Sequence, residues 1–169
     1  GGALAGLFAI TLSACLYFSA LLLHQTDGHW LLLLLAAAIA ACDSAAYFVG
    51  RSVGGIKLAP TVSPNKTVSG SVGGAVATIA VVAGLAGIPA LTSIAGLGPI
   101  TRLDVEVVLL LGCGVAVLSQ IGDLLESSLK RYFNVKDSGS LLPGHGGLLD
   151  RFDGYLFAVP GFYLFLFAS

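Results

Sequence analysis

Charge is scarce in this chain. Lys, Arg, Asp and Glu make up only 10% of its 169 residues, whereas hydrophobic residues make up 56%. A soluble domain carries roughly 25% charge, so the composition excludes one and implies an integral membrane protein. Cysteine is limited to Cys15, Cys42 and Cys113, each alone in an apolar segment. With no CxxC or zinc-ligand spacing, neither a disulfide framework nor a metal knuckle is supported, and the three read as small, reduced core residues. The pattern GxxxxGK[ST] is missing, which excludes a P-loop. No Ser-His-Asp order or nucleophile elbow is present either. No basic n-region precedes the first apolar run, so no signal peptide is read. The chain opens at Gly1, already apolar, as a segment beginning inside or beside a membrane span. The net charge of −1 points to no partner class, and no nucleic-acid partner is expected.

What is present is long apolar runs. A spanning helix needs about 20 such residues, and the sequence supplies about five: residues 3–23, 31–49, 68–90, 103–133 and 150–168. The fold class expected is all-α, a polytopic bundle forming one transmembrane catalytic domain and the C-terminal part of a larger bundle. The fourth span exceeds the thickness of the hydrocarbon core, which places its C-terminal third at the interface. Pro160-Gly161 predicts a kink in the fifth. Gly70 and Gly74 form a GxxxG that permits close helix contact and would permit a homodimer. His24 and His29 flank a short polar turn and read as solvated loop residues.

Polar groups inside these spans are few and aligned. Asp43, Tyr47 and Gly50 share one helical face with Arg51 near its end. A carboxylate at that depth costs about 2.5–3.5 kcal/mol on insertion scales. A cation, a metal ion or a watery cavity must offset that cost, and an ion pair with Arg51 would be the simplest structural answer. Gln120, Asp123, Ser127 and Lys130 form a second stripe, with Glu126 beside it.

The remaining charge sits in two loops. Residues 51–67 carry Arg51, Lys57, Lys66 and the pair Gly54-Gly55, and residues 127–153 carry Lys130, Arg131, Lys136, Arg151, Asp137, Asp150 and Asp153. Every Lys and Arg except Arg102 lies at this one end, so the positive-inside rule makes it cytoplasmic. Four carboxylates, Asp43, Asp123, Asp150 and Asp153, thus converge with cations and glycine N–H groups. Carboxylates suit Mg²⁺, cations and glycine amides suit phosphates, and phosphoryl or nucleotidyl transfer needs that mixture. The residues alone therefore predict a metal-dependent enzyme acting on a phosphorylated compound at the membrane surface.

The same residues carry a resemblance. Ser127-x-Leu129-Lys130-Arg131, Lys136-Asp137-x-Gly139 and Leu142-Pro143-x-His145-Gly146-Gly147-Leu148-x-Asp150-Arg151-Phe152-Asp153 resemble the signature of the phosphatidate cytidylyltransferases, or CDP-diacylglycerol synthases. An upstream block, Asp43 to Phe48 with Gly50-Arg51, Lys57 to Pro60 and Ser63 to Thr67, is similar to a second region of that family. Ser69 stands where the family usually has an acidic residue, and the family usually carries further N-terminal spans.

The resemblance implies transfer of a cytidylyl group from CTP to phosphatidic acid at the inner face of the plasma membrane. It implies Mg²⁺ on Asp123, Asp150 and Asp43, with K⁺ as a companion ion. Ser127 and Asp153 would complete the cation and water shell, with Lys130 at the reacting phosphates. Arg51, Lys57, Lys66, Arg131, Lys136 and Arg151 would bind phosphate, and His145-Gly146-Gly147 would serve chiefly as a backbone nest. An ether or isoprenoid lipid phosphate would be served by the same head-group chemistry. A transporter would also place Asp43 and Asp123 in the membrane, but it would require polar residues through to the far side, where these spans have almost none.

Overall fold

The computed structural model describes residues 2–25, 28–86, 104–135 and 152–167. Five helices account for most of them: α1 Gly2–His24, α2 Gly28–Val53, α3 Val68–Ala86, α4 Val105–Tyr132 and α5 Tyr155–Phe167. A helix satisfies its own backbone, which is what lipid demands of a spanning segment. Among the described residues, α1 to α4 are long and apolar enough to cross a membrane. At 13 residues, α5 is shorter, about 20 Å against a hydrocarbon core of about 30 Å.

Helices occupy the five expected stretches, with shifted ends. α2 runs on to Val53, so Arg51 is helical. The continuation of the third span to residue 90 lies outside the described residues. The fifth helix begins at Tyr155, not at 150, because Asp153 and Gly154 form a turn, and it continues through Pro160.

Residues 57–67, expected as a loop, instead form an antiparallel hairpin. Its strands are β1 Lys57–Ala59 and β2 Ser63–Thr67, with Lys57 opposite Thr67. Pro60 follows Ala59, and the Val62 amide closes the turn on the Ala59 carbonyl at 3.2 Å, a place where proline's fixed φ is welcome. Chain chemistry sets each junction. α2 stops at Gly54, which has a φ of 65° and whose amide returns to the Gly50 carbonyl. Thr67 caps α3 by accepting the Gly70 amide on its hydroxyl at 3.1 Å. α4 ends in a Schellman motif in which Asn134, with φ 54°, donates to Arg131 and Val135 donates to Lys130.

The core is apolar. Leu31, Leu35 and Ile39 of α2, Leu111 and Val115 of α4, and Val159 and Phe162 of α5 are buried together. α2 and α3 approach most closely through the GxxxG glycines. A Cβ on Gly70 would lie 2.5 Å from the Ala46 carbonyl oxygen, and one on Gly74 would lie 2.8 Å from that of Cys42. The pair is therefore used inside the chain, against α2. This contact brings the end of α2, the hairpin, the start of α3 and the end of α4 to one pole of the bundle.

Candidate active site

At that pole the end of α2, the hairpin, the start of α3 and α4 enclose a cavity of about 870 Å³. Asp43, Tyr47 and Arg51 enter from α2, Lys57, Asn65 and Lys66 from the hairpin, Ser71 from α3, and Gln120 and Asp123 from α4. Carboxylates from two separate spans therefore open into one space, and cations from α2 and the hairpin line it with them.

The partners of these groups define its chemistry. Lys66 forms an ion pair with Asp123, both side chains being more than two-thirds buried. Ser127, one turn on, donates its hydroxyl to the other Asp123 carboxylate oxygen at 3.4 Å. Arg51 donates to the Tyr47 hydroxyl at 2.9 Å. The structural Asp43–Arg51 pair is thus replaced by a tyrosine contact, and Asp43 faces the cavity. Below, the Ser71 hydroxyl donates to the Gln120 side-chain oxygen Oε1, and Gln120 Nε2 donates to the Ser71 backbone carbonyl at 3.2 Å. That exchange fixes α3 against α4 at the cavity floor.

Other expected residues stand close by but not in the lining. Lys130 pairs with Glu126, whose side chain is 2% exposed. Arg131 donates through Nε to the Val62 carbonyl at 3.4 Å, tying α4 to the hairpin tip. Asp153 sits against α4, where a Cβ on Gly122 would meet its carbonyl oxygen at 2.3 Å. Burial pushes the Asp153 carboxyl up to about 7, the Asp123 charge adding to the effect and the Gly154 amide opposing it. Lys136, His145, Gly146, Gly147, Asp150 and Arg151 lie outside the described residues.

Among the described residues, no group of three or more His, Cys, Asp or Glu could hold a metal ion. Mg²⁺ is usually held by one or two carboxylates together with substrate phosphates and water. Asp43 and Asp123 in a shared cavity meet that requirement, and the Lys66 ammonium already marks Asp123 as a cation position.

Several contributors carry little sequence signal. Ser71 is an ordinary residue until α3 packs against α4, whereas Tyr47 already shared the Asp43 face and Asn65 the upstream block. Glu126 was visible beside the polar stripe, but only packing shows that it is buried with Lys130. Ser69, the departure from the family pattern, donates its hydroxyl to the Gly54 carbonyl and meets the Thr67 hydroxyl at 3.0 Å. It fastens the loop after α2 to the first turn of α3.

Comparison with known proteins agrees with this architecture. The Cytidylyltransferase family model matches residues 2–169. A phosphatidate cytidylyltransferase of Bacillus subtilis is 49% identical over 124 residues, covering 73% of this chain and 42% of that protein. One from Brucella suis is 48% identical over 164 residues, covering 95% and 55% respectively. One from Staphylococcus haemolyticus is 37% identical over 143 residues, covering 80% and 48%. The chain thus spans about half the length of the curated relatives it matches. With the match running over residues 2–169, this chain belongs to the cytidylyltransferase family.

Proposed function

We propose that the cavity transfers a cytidylyl group from CTP to phosphatidic acid, yielding CDP-diacylglycerol and pyrophosphate. One observation carries this reading: Asp43 and Asp123, from different spans, face one cavity of about 870 Å³ that also receives Arg51, Lys57 and Lys66. Its volume lies within the roughly 300–1,000 Å³ of cavities that hold small ligands. The relatives' names supply the identity of the donor and acceptor.

In this reading Lys66, Lys57 and Arg51 draw in the triphosphate, since charge-assisted hydrogen bonds are the strong ones. Phosphatidate approaches from the bilayer with its head group at the same level. One of its phosphate oxygens, already anionic, attacks the α-phosphorus in line. The bond from that phosphorus to the α–β bridging oxygen breaks, and pyrophosphate leaves with its electron pair, so no general base is required. Asp43 and Asp123, with Asp150, would hold Mg²⁺, and K⁺ is the companion cation we propose. Mg²⁺ supplies charge neutralisation and orientation of the phosphates when bound. Ser127 and Asp153 would order water around such ions. Lys130, Arg131, Lys136 and Arg151 balance the departing pyrophosphate, and the His145-Gly146-Gly147 stretch offers it backbone amides. The excess of Lys and Arg in residues 51–67 and 130–151 supports a cytoplasmic orientation, and the plasma membrane is the membrane we propose.

The test is CTP-dependent turnover of phosphatidic acid by the protein in lipid nanodiscs, with and without Mg²⁺. Formation of CDP-diacylglycerol that stops when Mg²⁺ is removed is expected. CTP consumption without a lipid product would overturn the reading. Ether-linked and isoprenoid phosphates run in parallel define the tail preference.

A further inference from the structure

The Lys66–Asp123 pair joins a strand to a spanning helix across the cavity. It puts a tethered cation on the very carboxylate to which the proposed function gives a divalent one. Both oxygens of Asp123 are engaged, one by Lys66 and the other by the Ser127 hydroxyl. A metal ion arriving alone must therefore displace the ammonium that already compensates this carboxylate. A triphosphate changes that, because it offers Lys66 a stronger anion within the same cavity.

We propose that Lys66 is an exchangeable counter-ion: it occupies Asp123 in the resting site and moves to the nucleotide's phosphates when they bind, freeing Asp123 for the divalent cation that arrives with them. The move requires little of the backbone. The neighbouring Thr67 is buried at 4% exposure and locked as the cap of α3, so the exchange is confined to the flexible four-carbon lysine stem. The resting pair also neutralises one carboxylate where Asp43, Asp123 and Asp153 would otherwise repel one another. Metal and nucleotide consequently enter together, each raising the affinity of the other.

This inference rests on the metal-dependent reading above, and its experiment separates the two. Free Mn²⁺ is counted by electron paramagnetic resonance over the protein in nanodiscs, first without nucleotide. Wild type and Lys66→Arg should bind weakly, while Lys66→Met and Lys66→Gln should bind roughly three- to tenfold more tightly, the scale of a partly exposed charge pair. Adding α,β-methylene-CTP, which cannot react, should tighten Mn²⁺ binding in wild type far more than in Lys66→Met. Equal Mn²⁺ affinity in wild type and both neutral variants would overturn the exchange, provided that Asp123→Asn still abolishes binding. Mn²⁺ binding that is indifferent to Asp123→Asn would instead remove the underlying metal assignment.

Discussion

The two ends of α2, α3 and α4 behave as different materials. Away from the cavity, Leu31, Leu35, Val82, Val115 and Phe162 pack with almost no exposure, and shape decides the contact. At the cavity end the same helices present Asp43, Ser71, Gln120 and Asp123, and charge decides it. The first end supplies stability; the second uses it, because carboxylates near lipid are tolerated only with partners. A rigid apolar base lets costly groups be held in place above it.

The comparison is broken most severely at the acidic end. Asp123→Asn keeps the helix and its shape but removes a cation site. CDP-diacylglycerol formation should fall at least about 100-fold, while size-exclusion profile and helical circular dichroism stay unchanged. Lys66→Ala should come next, raising the KM for CTP about tenfold through loss of a charge-assisted contact, with a smaller change for phosphatidic acid. Titrating each substrate separately checks this.

The packing end answers in stability. Gly70→Val must push against the Ala46 carbonyl, which a Cβ would meet at 2.5 Å, and overpacking typically costs about 1–3 kcal/mol. A lower melting temperature with residual activity in the surviving protein is expected.

Asp153 lies at the acidic end, against Gly122 of α4. Its folded-state carboxyl titrates near 7, above its ordinary value of 3.8, so the native protein holds this proton more tightly than the unfolded chain. Stability contributed by that proton is present at low pH and is lost as pH rises toward about 7. Asp153→Asn should match wild type in thermal stability at pH 4, exceed it at pH 8, and lose activity. Equal melting temperatures at both pH values would contradict the shift. The smallest effect belongs to Arg131→Ala. It frees the hairpin tip from α4 and should alter CTP turnover within about twofold, as exposed contacts generally do.

Much of this was legible from residues alone. Apolar runs gave the helices to within a few positions, and helical spacing placed Asp43 and Asp123 on polar stripes. The hairpin was not legible. Its strands are three and five residues long, too short for alternation to stand out beside Gly54, Gly55 and Pro60. The Lys66–Asp123 pair was hidden for a related reason, since a contact between distant stretches leaves no local pattern. Gly70 and Gly74 announced a close helix neighbour but not which one. The structure identifies α2 of the same chain.

The central claim is that acidic side chains from separate spans hold a divalent cation against the nucleotide's phosphates. The most direct measurement is the ³¹P hyperfine coupling to Mn²⁺ bound with α,β-methylene-CTP to the protein in nanodiscs. A coupling of direct phosphate–metal contact is expected, and it should disappear in both Asp43→Asn and Asp123→Asn. A coupling unchanged in both variants, or a protein-bound Mn²⁺ that senses no phosphorus, would contradict it.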